Sequence, residues 1–560
     1  MVVNDFNLIN VPQYMPDMPT IALPLLNGCL KQEGVESRVI DSNIEFYHHL
    51  ISASGLSGVD SASRDLCRPL EFHELGRYVE NRGLLENVLQ DSFSWFNGNL
   101  GLMSSSLKSS SADSWGVVEA LEDKEGNPYL DFFDENVERY AAPVVGIGIG
   151  IPEQIIPAFT LAGIMRKKFP DVKIVLGGNT YTRIAEGIKG NERLMGLFDY
   201  GIESEADIVF PELVRLLLDG EKVDNESLEE LSKQIPDLNK VPVPDFSDLD
   251  LKSYFSPEPV LPILGGRGCY YGKCSFCAIH RAYKDGGRFR GKSPGKMLEE
   301  VIKYNKDLGV SHFKFNEESH HPNFAIDFSK LVEQNGLNFA FEAFANLEPW
   351  ITREGVAEQL FRGGYRRLMY GLETISAEVI KAVHKGNVHR NNKQDAIYRA
   401  ANDAGILPFV FLMTGIPGQS EESSWATAEY LINNGDIGNF ALSVYSLDHL
   451  APDSSKGLES RGVSEIKRAG DLATYYNYKI NGKSPGADNR ELAKKVLSHI
   501  YKERPDLAFM SCFLPAARLV YINKYGNDFA QRFVDEYGLP EGAFELANNS
   551  YTKARIERKK

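Results

Sequence analysis

Cys269, Cys274 and Cys277 bring three of the chain's six cysteines within nine positions, in the run GRGCYYGKCSFC at 266–277. Thiolates are soft ligands that suit zinc, copper(I) and iron–sulfur clusters. A closed structural zinc site or an electron-transfer cluster normally takes four protein ligands, and here no fourth cysteine lies nearby. A 4Fe–4S cluster held by three ligands leaves one iron open to a small molecule, which is a catalytic arrangement. His280, three residues beyond Cys277, offers the competing reading of a Cys3His zinc site, although zinc ligands usually come as two pairs set well apart. Cys29, Cys67 and Cys512 are scattered, so the cysteines do not read as a disulfide framework. Cys512, in FMSCFLPAARLVY, sits in an apolar stretch where a cysteine behaves as a small buried hydrophobe. An extra cluster ligand or a substrate-facing thiol is its alternative role.

A loop of this kind needs a rigid element to deliver it. LPILGGRG, just before Cys269, reads as a strand, which puts the cysteines on the loop after its C-terminal end. HFKFNEES (312–319), LNFAFEAFAN (337–346), YRRLMYGLE (365–373), LPFVFLMTGIPG (407–418) and NFALSVYSL (439–447) follow, with amphipathic helical stretches between them. Six β-α repeats predict a partial (β/α)6 barrel over 260–450, with functional residues at the C-terminal ends of its strands. From about 451 the chain is tyrosine-rich and is expected to form a mostly helical C-terminal domain, 451–560, as a small cap.

The first 240 residues also alternate. FNLINVP (6–12), SRVIDSN (37–43), PVVGIGIGIP (143–152), VKIVLGGN (172–179) and FDYGIESE (198–205) read as strands. IALPLLNGCLKQEG and IIPAFTLAGIMRKKFP have helical spacing. The pattern predicts an α/β fold with a parallel, doubly wound sheet. Residues 53–142 break the rhythm. SASGLSGVDSASRD and MSSSLKSSSADS read as loops and FHELGRYVENRGLLENVLQDSFSWF as helix, so the segment is a partly helical insertion covering one end of the sheet or a disordered linker. VPVPDFSDLDLKSYFSPEP (241–259) is the linker candidate between the two halves.

The length of 560 residues suggests about three domains. A net charge of −16 argues against a nucleic-acid or anionic-membrane partner, and the basic tail YTKARIERKK is too short to reverse that. No stretch reaches the ~18 apolar residues of a membrane span. MVVNDFNLINVPQY lacks the basic and apolar regions of a signal peptide, so a cytoplasmic protein is expected. No short repeat and no GxxxxGK[ST] phosphate loop occurs.

With the aromatic Phe276 directly before the last cysteine, Cys269, Cys274 and Cys277 resemble the cluster motif of the radical S-adenosylmethionine superfamily. The usual spacing is CxxxCxxC, whereas CYYGKC has four residues between its cysteines; similar RGCYxGKCxFC runs occur in the cobalamin-binding branch. The resemblance spans roughly residues 1–450. It implies a 4Fe–4S cluster on Cys269, Cys274 and Cys277 with S-adenosylmethionine beside it. Phe276 would line the adenine. Glu317 and Glu318, in FNEES, would lie near the methionine amino group. Gly371 and Glu373, in YGLETIS, would approach the ribose and methionine, and Gly415 and Pro417, in GIPGQSEES, would turn beside the adenine. Each also has a plain use: strand-end carboxylates are commonly solvated and Gly-Pro turns simply end strands. Tyr270 and Tyr271 are expected to pack over the cluster and limit solvent and oxygen. The implied chemistry is one-electron cleavage of S-adenosylmethionine to a 5'-deoxyadenosyl radical that abstracts hydrogen from an unactivated carbon, with flavodoxin or ferredoxin as electron donor.

The N-terminal half resembles the cobalamin-binding domain of that branch, through PLLNGCLKQEGVESRVID, EQIIPAFTLAGIMRKKFPDVKIVLGGN and YGIESEADIVFPEL. Its strand ends then offer Tyr14, Pro152, Gln154, Gly177, Gly178, Asn179 and Glu203 as cobalamin contacts. GIGIG lacks the G-x-G-x-x-G dinucleotide spacing. DxHxxG is missing, so the domain either binds cobalamin without a protein histidine or keeps the fold and has lost the cofactor. With cobalamin, the implied reaction is methylation of an unactivated carbon in a peptide or small-molecule substrate. Without it, hydrogen abstraction would drive epimerisation, cross-linking or rearrangement. A non-catalytic metal-binding module is the reading from another class.

Overall fold

Five strands, Phe6–Asn10 (β1), Ser37–Asp41 (β2), Val144–Gly148 (β3), Lys173–Gly177 (β4) and Tyr200–Ile202 (β5), pair in the order β2-β1-β3-β4-β5, all parallel. The computed structural model describes residues 5–551 apart from 97, 108, 222, 280–282, 284–286, 387–392 and 456, so His280 and the basic tail after 551 lie outside the described residues. Helices cover both faces, which is why β1 and most of β3 are buried along their length. The strand order reverses between β1 and β3, and that switch point opens a crevice at their C-terminal ends.

Two segments differ from their expected form. SASGLSGVDSASRD is largely helical, ending the helix Ser42–Ala53 and forming Val59–Leu66, because Val59, Ala62 and Leu66 share one buried face. The helix Leu75–Ser94 then packs on the C-terminal helices: the Tyr78 and Phe513 rings stack at 4.8 Å and Arg82 Nη1 donates to Cys512 O at 2.6 Å. The second segment, 241–259, forms no regular element but is a bound strap. Phe246, Tyr254 and Phe255 are buried, Tyr254 Oη donates to Asp41 Oδ2 at 2.6 Å, and Asp245 N donates to Pro24 O at 2.8 Å. Three aromatic anchors in nineteen residues outweigh its prolines.

After the strap, Val260–Ile263 (β6), His312–Phe315 (β7), Ala340–Ala345 (β8), Tyr365–Glu373 (β9), Leu407–Thr414 (β10) and Asn439–Val444 (β11) form a six-stranded parallel sheet in sequential order. This is an open (β/α)6 barrel, with helices such as Pro294–Leu308 and Pro322–Gln334 as its outer layer.

The segment from 451 begins differently from the helical expectation. Leu447–Asp448 (β12), Val463–Arg468 (β13) and Tyr475–Ile480 (β14) make an antiparallel sheet in the order β12-β14-β13. Tyrosine favours a half-buried pleated surface, so the composition of YYNYKI carried the strand signal. Five helices follow, from Gly486–Glu503 to Ala543–Tyr551. Among the described residues no single helix is long and apolar enough to cross a membrane; the apolar pair Pro505–Ser511 and Pro515–Tyr525 is bent by 119° and is largely buried.

Candidate active site between the two sheets

The cysteine loop leaves β6 and is braced from β7. Gly265 N donates to Glu317 Oε2 at 3.1 Å and Gly268 N to Glu318 Oε2 at 3.1 Å. Gly268 has φ +79°, and a Cβ there would lie 2.6 Å from Gly287 O, so the turn before Cys269 requires glycine. Glu317 is 2% exposed, and its other oxygen bonds His320 Nδ1, whose Nε2 meets Tyr365 Oη at 2.6 Å. Glu318 accepts from Tyr283 Oη at 2.5 Å, and burial raises its pKa. What Glu317 and Glu318 do in the structure is hold the cysteine loop in shape.

Cys269, Cys274 and Cys277 are unpaired and partly buried. Burial pushes the Cys274 thiol up to about 12 and raises Cys277, so a bound metal must displace their protons. Among the described residues no three His, Cys, Asp or Glu side chains converge as on a single ion. His280, the fourth ligand of the zinc reading, lies outside the described residues. Three soft thiolate donors on one short loop suit a cluster that takes cysteine sulfurs as its protein ligands.

Phe276 packs against Ile416, Val379, Val383 and Leu447 in one apolar cluster, which joins the cysteine loop to the turn after β10. Gly415 has φ +74°, Pro417 is buried, and a methyl group on Gly415 would overlap Asn489 Nδ2. Gly371 and Glu373 flank a bulge in β9, and Glu373, with φ +62°, accepts from Lys385 Nζ at 2.7 Å. Lys385 Nζ links Glu373 and Gly371 to the Phe276 ring of the cysteine loop, and Ile416, between Gly415 and Pro417, belongs to the apolar cluster on which Phe276 packs. Tyr271 is a clamp: its Oη donates to His384 O at 2.6 Å and accepts from Gly386 N at 2.5 Å. Tyr270 packs on Phe289 and His321.

A mostly apolar cavity of about 460 Å³ lies between the two sheets. Its walls include Tyr14, Gln154, Gly177, Gly178 and Asn179 from the strand ends of the first sheet, and Ile279, Lys314 and Glu318 from the second. Pro152 and Glu203 stand outside it; Glu203 pairs with Lys189 at 2.7 Å on the surface. Gln154 shapes the cavity more than it offers contacts, since its amide donates to Val11 O at 2.7 Å and accepts from Gly150 N at 2.8 Å. Gly178, at φ +113°, passes so close to Ile149 O that a Cβ would sit 2.6 Å away, whereas one on Gly177 meets nothing nearer than 3.6 Å. Two lining polar atoms, Asp17 Oδ1 and Ser204 Oγ, are buried without a hydrogen-bond partner. An apolar chamber with two orphaned oxygens in its wall fits an organic ligand that is mostly apolar and carries hydrogen-bond donors.

Sequence reasoning missed Arg267. Two residues before Cys269, it donates to Asp207 through both arms and to Glu205 at 2.5 Å, while Arg290 grips Glu205 at 2.7 Å. The acidic residues end the GIESEAD run, whose charge was the available signal. Lys385 and Asn489 carried none. Cys512 is fully buried, its Sγ donating to Ala508 O and Ala543 O at 3.3 Å among the C-terminal helices, so it is a packing residue and not a ligand or substrate-facing thiol.

Residues 263–431 match the family described as Radical SAM superfamily. The chain is 24% identical over 311 residues to an uncharacterized methyltransferase, PH0819, of Pyrococcus horikoshii, covering 52% of this chain and 65% of that one. It is 24% identical over 196 residues to the bacteriochlorophyllide d C-12(1)-methyltransferase of Chlorobaculum tepidum, covering 34% and 41%. The matches thus span less than two thirds of these relatives. Among solved structures, the radical S-adenosylmethionine methyltransferase TsrM of Kitasatospora setae, with cobalamin and a [4Fe-4S] cluster bound, superposes at TM-score 0.57 and 13% identity over 97% of this chain and 98% of that one. The cobalamin-dependent radical enzyme OxsB, with aqua-cobalamin and S-adenosylmethionine bound, gives TM-score 0.57 and 12% identity over 99% and 79%. At such identities the likeness is one of fold.

Proposed function

Residues 263–431 are a radical SAM domain, and on that premise we propose that this protein is an enzyme that reductively cleaves S-adenosylmethionine to a 5'-deoxyadenosyl radical and, with cobalamin, methylates an unactivated carbon of a peptide or small-molecule substrate. One observation carries the reading: a single cavity has the C-terminal strand ends of both sheets in its walls, from Gly177–Asn179 on one side to Ile279 and Glu318 beside the cysteine loop on the other. A ligand seated on the first sheet therefore faces the place where the radical would form. The relatives named as methyltransferases support the same reading.

Cys269, Cys274 and Cys277 would hold the cluster, Phe276, Glu373, Gly415 and Pro417 would wall the S-adenosylmethionine, and Tyr14 with Gly177–Asn179 would cradle cobalamin, shaped by Gln154. When bound, these groups supply the one-electron chemistry and the methyl carrier. The chain's residues supply shape and exclusion. Glu317 and Glu318 fix the loop backbone, Arg267 ties it to the segment after β5, and Asp453 N, in the turn between β12 and β13, donates to Ser275 O at 2.9 Å. A cytoplasmic setting with flavodoxin or ferredoxin as reductant belongs to the proposal.

The test is anaerobic reconstitution with cobalamin supplied, followed by mass spectrometry with candidate peptides and metabolites. About four irons per chain, a cobalamin absorption band, 5'-deoxyadenosine and S-adenosylhomocysteine are expected. Iron and 5'-deoxyadenosine without cobalamin or S-adenosylhomocysteine would remove methylation and leave another radical transformation. One zinc and no cleavage would overturn the whole reading.

A further inference from the structure

Lys385 belongs to no motif, yet several contacts converge on its ammonium. Nζ donates to Glu373 Oε1 at 2.7 Å and lies 5.7 Å from the centre of the Phe276 ring, which sits between Cys274 and Cys277 in the chain. A methyl group on Gly371 would overlap the same nitrogen. The missing side chain at 371 is thus what admits the ammonium.

The backbone around Lys385 is bonded to the cysteine loop on both sides. Ser275 N donates to Val383 O at 2.9 Å, and Tyr271 bonds His384 O at 2.6 Å and Gly386 N at 2.5 Å. The backbone that carries Lys385 is thereby fixed to the loop that carries all three thiols. The 2.7 Å ion pair with the Glu373 carboxylate compensates the ammonium where it is buried. Glu373 is 6% exposed and holds a left-handed φ of +62°, a conformation that non-glycine residues keep only where their surroundings enforce it.

We propose that Lys385 is a positioning residue for the cluster and S-adenosylmethionine: it aims the Glu373 carboxylate at the nucleoside and sets a fixed positive charge beside the Cys274–Cys277 turn. This deepens the function proposed above and rests on it. A cation there favours the more negative, reduced form of a cluster, so it raises the reduction potential. Its loss also frees Glu373 to turn away from its ligand.

The experiment compares the full-length wild type, K385M and K385R after anaerobic reconstitution, by redox titration of the cluster's EPR signal and by S-adenosylmethionine binding. K385M is expected to keep the wild-type iron content, to titrate at a more negative midpoint, and to bind S-adenosylmethionine about tenfold more weakly. K385R, which keeps the charge, is expected to restore most of the midpoint. If K385M does not fold, G371A displaces the ammonium without removing it, and a midpoint shift in the same direction is expected. Wild-type midpoint and affinity in the variant that folds would overturn the inference. A wild type that assembles about four irons and changes its signal with S-adenosylmethionine isolates that failure to Lys385; a wild type that assembles no such cluster overturns both readings.

Discussion

Arg267 donates through Nη1 and Nη2 to the two carboxylate oxygens of Asp207, each at 2.8 Å, and this fork joins the segment after β5 to the second residue before Cys269. Both residues are 8% exposed. Burial works against the guanidinium's charge, but Asp207 and then Glu205 lift its pKa above the ordinary arginine value. The first sheet thereby grips the loop on which the proposed cluster sits.

Without Asp207, Arg267 and Arg290 are left to share Glu205, and the two charge-assisted hydrogen bonds of the fork are lost, at a cost of about 1.5–3 kcal/mol. Asp207→Ala is therefore expected to lower the urea midpoint of the apo chain and to reduce iron incorporation. An unchanged midpoint would show that Glu205 alone holds Arg267.

Gly415→Ala is expected to weaken S-adenosylmethionine binding, because the new methyl group meets Asn489 at a backbone φ that already disfavours any side chain. Asn489→Ala in the same chain should restore part of the affinity. Isothermal titration on the single and double variants measures that coupling; strict additivity would separate the two residues.

Gly177→Leu places bulk in the cavity without a backbone clash, since its Cβ position is 3.6 Å from the nearest atom. Cobalamin bound per chain, read from its absorption band, should fall about tenfold or more while iron content stays at the wild-type level. Equal loss of both would mean that the substitution unfolds the first sheet.

Cys512→Ala should leave iron content and 5'-deoxyadenosine yield unchanged. It removes a fully buried sulfur, so stability should drop by about 1–2 kcal/mol. Lost turnover in a folded variant would return Cys512 to the chemistry.

His312, 4% exposed in β7, has its pKa lowered from 6.5 to about 4 by burial, with Arg366 adding to it, although Glu258 lies 3.3 Å from Nδ1. A folded-state pKa below the unfolded value means that the unfolded chain binds the extra proton first. The His312 contribution is therefore intact above pH 6.5 and is lost on acidification toward 4, at about 1.4 kcal/mol per pH unit. Denaturant melts across that window should show the slope, and His312→Gln should flatten it.

Both β-α alternations and the cysteine run were legible because each is a local property. A strand buried on both faces announces itself in residues such as VVGIG, and a loop ligand set in its spacing. The antiparallel sheet β12–β14 was not legible as such, because its strands gain stability only by pairing across intervening turns. The strap 241–259 read as a linker because three well-placed aromatics leave no periodic trace.

By itself the chain order determined two α/β sheets and three thiols at the end of one strand, since hydrogen-bonding period and ligand spacing operate over a few neighbouring residues. Tertiary structure decided what faces those thiols. Arg267 and Asp207 are 60 residues apart, Lys385 reaches Glu373 around a helix, and Asn489 arrives on Gly415 from the C-terminal helices. Such meetings depend on how separate elements pack, because a buried charge or an empty glycine face acquires its role only from the neighbour that fills it.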